Sequence, residues 1–208
     1  MQSAFMETDW AAEHLQTIRT LMERSAVYRR ALAPIMLFAG ILGVIGSLVG
    51  SFFDLVSVRQ FATMWLVIAA VTVGGSFLIA RRQAFKEGEP FWSPPTRRIA
   101  EALAPPLVVG MVVGFIYVLE NSPDLFGPLV CLWALFYGCA VHSAGFFISR
   151  GMRLFGWIFI VFAIVLFFLH MHNGLSFNLH GLMGFFFGGL HLAYGIYLYI
   201  TEKGKNAA

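Results

Sequence analysis

Charged residues are scarce in this 208-residue chain, where Asp, Glu, Lys and Arg together make up 12%. Soluble domains carry about 25% charged residues and are roughly 45–50% apolar, whereas this chain is 59% hydrophobic. A folded particle of this length has too little interior to hide so much apolar surface from water. The composition therefore excludes a soluble globular enzyme. It also excludes a disordered chain, because Phe alone contributes 22 residues.

Other absences narrow the class of protein further. The two cysteines, Cys131 and Cys139, lie on one predicted helix about 12 Å apart, which is too far for a disulfide. The sequence contains no HExxH, GxSxG or P-loop motif and no paired catalytic carboxylates. No predicted span carries Asp, Glu, Lys or Arg in its core, although ion-coupled transporters and pumps usually need one there. These absences favour a protein that is not an enzyme.

What the chain has instead is six long apolar runs. A helix needs about 20 residues to cross roughly 30 Å of hydrocarbon, and strands of a β-barrel would be shorter and would alternate in polarity. The predicted spans are residues 31–53, 61–80, 102–119, 125–149, 154–171 and 181–200. The sequence therefore predicts an all-α polytopic membrane protein with six transmembrane helices in one bundle. Residues 1–30 precede the bundle and a tail, 201–208, follows it.

The basic residues sort onto one side of the predicted bundle. Six spans place thirteen of the fourteen Lys and Arg residues on the side of the termini and leave only Arg59 on the other. The thirteen are Arg19, Arg24, Arg29, Arg30, Arg81, Arg82, Lys86, Arg97, Arg98, Arg150, Arg153, Lys203 and Lys205. This asymmetry predicts that both termini are cytoplasmic. It also accounts for the basic pI through topology and anionic lipid headgroups, so we expect no nucleic-acid partner.

Two cytoplasmic segments are predicted from local patterns. Residues 8–30 read as an amphipathic helix, because Leu15, Ile18 and Met22 fall on one face. This helix is either an ordinary juxtamembrane element or a docking surface for a protein partner. The loop 81–98 is rich in proline and separates two spans. Further along, Pro105 and Pro106 predict a kink or a late start of the third span.

A family resemblance rests on the start of the chain. The stretch Ile18, Arg19, Met22, Glu23, Arg24 and Ser25, followed by hydrophobic spans, resembles a group of small bacterial polytopic inner-membrane proteins. A looser similarity covers the last span around residues 188–195. The resemblance implies a bacterial inner-membrane location. It brings no established activity and therefore no functional residues.

Small residues form stripes along three of the spans. Within lipid, helices associate through close packing, and small residues let two backbones approach. The stripes are Gly40, Gly43, Gly46 and Gly50 in the first span, Ala134, Gly138 and Gly145 in the fourth, and Gly181, Gly184, Gly188 and Gly195 in the sixth. We expect these faces to turn into the bundle. They are also candidate contacts for a partner protein or a second copy of the chain.

Two histidines continue these stripes. His142 follows Gly138 by four residues, and His191 lies between Gly188 and Gly195. Both should face protein, because a polar side chain within the membrane needs a partner. One hypothesis is a pair of neutral histidines hydrogen-bonded to Ser143, Tyr137, Tyr194 or a backbone carbonyl. A second is axial ligation of haem b by His142 and His191, and a third is a proton relay or ligand pocket.

Three further histidines cluster at the opposite side of the membrane. His170, His172 and His180 lie at the end of the fifth span and across the following loop. One interpretation is a set of interfacial histidines in a wet loop. The alternative is a Zn²⁺ or Cu²⁺ site or a pH-sensing site, with carboxylates such as Asp54 on the same side.

The sequence thus leaves three classes of function open. The leading hypothesis is a non-catalytic integral inner-membrane protein that acts as an accessory, sensor or assembly subunit. The second is a haem- or metal-binding redox subunit that uses the intramembrane histidines. The third is a channel or facilitator for a neutral solute.

Overall fold

A computed structural model of the protein describes residues 31–55, 57–88, 90–120, 126–173 and 178–206. Within these residues the chain is helical and contains no strand. The helices are α1 (Ala31–Phe52), α2 (Val58–Lys86), α3 (Pro94–Glu120), α4 (Phe126–Ile148), α5 (Arg150–Asn173), α6 (Leu179–Met183) and α7 (Leu190–Asn206). A π-helical segment, Gly184–Gly189, joins α6 to α7, so the last three pieces form one continuous span.

Among the described residues, six helices are long and apolar enough to cross a membrane, which confirms the all-α, six-span prediction. The predicted amphipathic helix at residues 8–30 lies outside the described residues. The third span begins at Pro94, well before the predicted start at residue 102. Pro94 and Pro95 occupy the first turn, where a missing N–H is not needed. Pro105 and Pro106 lie inside the helix and do not delay its start.

Two apolar clusters extend from opposite ends of the bundle toward its middle. One contains Leu32, Met152 and Leu198, and so brings together the start of α1, the start of α5 and the later part of α7. The other contains Val58 and Tyr117, with Leu129 and Met183 among its remaining members. Successive spans therefore run in opposite directions. We call the first end the basic end, because α2 finishes there and α3 and α5 begin there with their arginines.

Arg59 lies at the opposite end and contacts the end of α3. Its Nε atom donates a hydrogen bond of 3.0 Å to the carbonyl oxygen of Val118. A cation is favourable at this position, because the carbonyls in the last turn of a helix carry partial negative charge. The basic residue that departs from the predicted charge pattern therefore has a structural role.

Glycines bring neighbouring backbones into direct contact. A Cβ atom at Gly40 would lie 2.7 Å from the backbone nitrogen of Leu192, and one at Gly43 would overlap the backbone of Phe187. The α4–α5 contact is equally close, because a Cβ atom at Gly156 would lie 2.6 Å from the backbone nitrogen of His142. The glycine stripes of α1 and α4 do face the bundle, as the sequence indicated. They are filled by other parts of the same chain.

Replacing one of these glycines tests the close packing. We expect Gly43→Ala to lower the free energy of unfolding by about 1–3 kcal/mol, because the added methyl overpacks the contact with Phe187. Gly74→Ala is the matched control, since a Cβ atom there meets nothing within 4 Å. Denaturant titration in detergent micelles measures both. Equal midpoints for the two variants would contradict the proposed contact.

Candidate functional site

His191 is the most enclosed polar side chain of the described bundle, with 1% of its surface exposed. It is the second residue of α7 and points toward α4 and α5. The Nε2 atom lies 2.5 Å from the hydroxyl oxygen of Tyr137, and the Nδ1 atom lies 3.1 Å from the carbonyl oxygen of Phe186. A carbonyl only accepts, so Nδ1 donates to Phe186 and the Tyr137 hydroxyl donates to Nε2. Both ring nitrogens of a neutral imidazole are thereby satisfied.

The π-helical segment supplies the carbonyl that His191 uses. In an α-helix the N–H of Leu190 would donate to the carbonyl of Phe186, four residues back. Here that N–H donates to the carbonyl of Phe185, five residues back. The Phe186 carbonyl is released from its usual partner and accepts from the imidazole instead. An inserted π turn often marks a specialised position in a helix, and here it orients His191.

Aromatic rings enclose the His191 imidazole. Its ring centroid lies 5.2 Å from that of Phe155, 5.6 Å from that of Phe159 and 6.0 Å from that of Phe187. Phe159 is itself fully buried. The surroundings are apolar and closely packed, so an unmet hydrogen bond would be costly here. The geometry fixes the imidazole in place and keeps its nitrogens occupied.

His142 has a separate environment. It lies on α4 facing α5, and its Nδ1 atom is 3.1 Å from the carbonyl oxygen of Arg153. Its ring contacts Phe146 and Trp157, at centroid distances of 5.3 and 5.4 Å.

The structure turns His142 and His191 toward protein but gives them different partners. Axial ligation by His191 would require breaking its bond to Tyr137 and opening a packed aromatic shell. In this arrangement the two side chains do not form a ready pair of haem ligands.

His180 connects three elements at the opposite end. Its Nε2 atom lies 3.1 Å from the carbonyl oxygen of Leu55, and its Nδ1 atom accepts a hydrogen bond of 3.4 Å from the indole of Trp65. The backbone carbonyl of His180 accepts from Ser47 at 2.7 Å. Gly50 leaves the space for the ring, because a Cβ atom there would overlap the imidazole. This histidine is buried within the bundle.

His170 and His172 lie on a different helix from His180. Both are on the last turns of α5, where His170 is half-buried and the exposed His172 packs its ring on Phe168 at 4.2 Å. Across the parts of the chain that the structure describes, no three His, Cys, Asp or Glu side chains are close enough to hold a metal ion. The structure therefore does not bring the three predicted metal ligands together.

Sequence reasoning identified the polar positions and included Tyr137 and backbone carbonyls among the expected partners of His142 and His191. It missed both partners of the His180 ring, the Trp65 indole and the carbonyl of Leu55. Among the tryptophans, Trp65 bonds His180 and Trp133 donates from Nε1 to the carbonyl of Gly110 at 2.8 Å. The available signal was the presence of tryptophan inside an apolar span, since a buried indole N–H usually finds an acceptor. Together these bonds connect α2 to the last span and α4 to α3. Their role is to stabilise the packing of the helices.

Comparisons of the chain with protein-family models, with curated proteins and with solved structures gave no match.

The bond between Tyr137 and His191 can be tested by removing one oxygen. We expect Tyr137→Phe to lower the free energy of unfolding by about 0.6–2 kcal/mol, because it leaves a buried acceptor unmet. Tyr199→Phe is the control, since that side chain is 57% exposed. In a His191→Phe background, Tyr137→Phe should cost much less, because the acceptor is already gone. Additive losses measured by unfolding in micelles would argue against the bond.

Proposed function

We propose that this chain is a non-catalytic integral protein of a bacterial inner membrane that serves as an accessory or assembly subunit. The observation that carries the proposal is the use of its buried polar side chains. His180, His191 and Trp133 direct their hydrogen bonds to other parts of the same bundle. These hydrogen bonds hold the helices together and occupy polar atoms of the three side chains. A bundle of this kind suits a subunit that recognises another protein at its surface.

The basic end is the proposed face for that partner. The glycine stripes of α1 and α4 are already filled from within the chain, which leaves the predicted helix at residues 8–30 as the proposed contact. Its apolar face, with Leu15, Ile18 and Met22, would bind either a partner helix or a second copy of this protein. The resemblance of this segment supports the proposed bacterial inner-membrane location, and the charge asymmetry supports the proposed orientation.

The proposed topology has both termini in the cytoplasm. Because six spans return the chain to its starting side, reporter tags fused to the two ends should be equally protected in intact cells. A tag inserted after Ser122, in the predicted outer loop between the third and fourth spans, should be accessible from outside. Accessibility of either terminal tag from outside would contradict the orientation.

Affinity purification from a gentle detergent tests the subunit role. We expect the protein to bring down a stoichiometric partner or a second copy of itself. The variant Leu15→Ser, Ile18→Ser, Met22→Ser should lose this complex, because it removes the apolar face of the predicted helix. Glu13→Ser, Gln16→Ser, Thr20→Ser changes the other side of the helix and is the control.

A monomer that remains alone in every preparation would count against the proposal. So would equal loss of the complex in both triple variants, since that would mean general unfolding of the segment. An absorption spectrum of the same preparation addresses the haem hypothesis independently, because a bound b-type haem has a strong Soret band.

A further inference from the structure

A shallow groove of about 400 Å³ lies on the outer side of α2 at the basic end. Its lining residues are Leu78, Arg81, Arg82, Phe85 and Lys86. They are spaced by three and four along the helix, which places them on one face. Three cations and two apolar side chains therefore line the same surface.

The position of the groove along α2 corresponds to the membrane boundary. The helix has 29 residues, which gives a length of about 43 Å against roughly 30 Å of hydrocarbon. The stretch from residue 60 to residue 80 carries no charge, and Arg81 is the first charged residue after it. The last two turns of α2 thus extend beyond the apolar region, at the level of lipid phosphates.

The cations of the groove are arranged to bind an anion. The Arg81 guanidinium lies 5.3 Å from the centre of the Phe85 ring, which holds it along the groove. Among the described residues, Arg81, Arg82 and Lys86 form no ion pair with an acidic side chain. Arg97 on α3 differs, because its guanidinium bonds Glu101 at 2.8 Å. Positive charge is therefore concentrated on the face of α2.

Apolar side chains lie next to the three cations of the groove. Some are closer to the middle of the membrane, and others are at the level of the lipid headgroups. Leu78 is 60% exposed and lies one turn closer to the middle of the membrane than Arg81. Phe91 from the following loop packs against Phe77 at 4.6 Å, and the neighbouring Trp92 is largely exposed. Aromatic side chains prefer this interfacial level. The surface thus changes from apolar to cationic over one helical turn, as a phospholipid does from acyl chain to phosphate.

We propose that this groove binds the headgroup of an acidic phospholipid. The phosphate contacts Arg81, Arg82 and Lys86, and an acyl chain lies along Leu78. A lipid with a net negative headgroup is favoured over a zwitterionic one, because a headgroup ammonium would be repelled by the same three cations. This site does not depend on the proposed subunit role, since it is formed by α2 alone.

Native mass spectrometry of the delipidated full chain in detergent, titrated with phosphatidylglycerol, tests the site. Arg81→Gln, Arg82→Gln should weaken binding by roughly tenfold or more, from the loss of two charges next to the phosphate. Arg97→Gln, Arg98→Gln removes two exposed arginines from the same end and should change the affinity by less than about twofold. Phosphatidylcholine should bind the wild type as weakly as phosphatidylglycerol binds the first variant.

Several results would overturn the proposal. Equal losses in the two double variants would mean that the basic end attracts lipid diffusely. Equal affinity for the two lipids would remove the role of charge. Complete displacement of the lipid by millimolar inorganic phosphate would show that the cations bind a free anion. All four arginines are exposed, so unchanged thermal midpoints serve to confirm that the variants remain folded.

Discussion

A polar group placed in hydrocarbon finds no water, and it must be satisfied by the protein itself. This constraint explains the three intramembrane histidine environments. His191 uses a tyrosine hydroxyl and a carbonyl released by a π turn, His180 uses an indole and a loop carbonyl, and His142 uses a carbonyl of the next helix. Each bond joins two separate elements of the bundle or fixes an irregular turn. The polar residues of this apolar chain thus help to determine which helices become neighbours.

Close backbone packing and polar bonding depend on each other here. Gly50 has no side chain, and the space it leaves is taken by the imidazole of His180. Gly188 lies so near α1 that a Cβ atom there would be 2.9 Å from the backbone nitrogen of Val44. That proximity holds the π-helical segment against α1 while His191 is directed to α4. Neither small residues nor hydrogen bonds alone would specify this arrangement, since lipid solvates apolar side chains as well as a protein core does.

The sequence predicts the architecture well, because the length of each apolar run can be read directly from it. The order of the runs also separates Arg59 from the other basic residues. Prediction is less successful at the third span. The helix begins at Pro94 and Pro95, whereas hydropathy alone predicts a later start. The site could be predicted only in part. The inward orientation of His191 followed from its glycine neighbours. Tyr137 was one of several predicted partners, but it lies 54 residues away along the chain and the sequence could not choose among them. Contacts over such distances depend on helix order, which periodicity does not encode.

The π-helical segment also sets the angular phase of the last span. In an uninterrupted α-helix, side chains eleven positions apart point in directions that differ by only about 20°. His180 and His191 would then face the same neighbour. The single extra residue in the wide turn rotates the outer part of the span by about 100°, so the two imidazoles diverge by roughly 80°. One histidine thereby meets Trp65 and the other meets Tyr137, and a one-residue deletion between them would leave only one of these contacts in register.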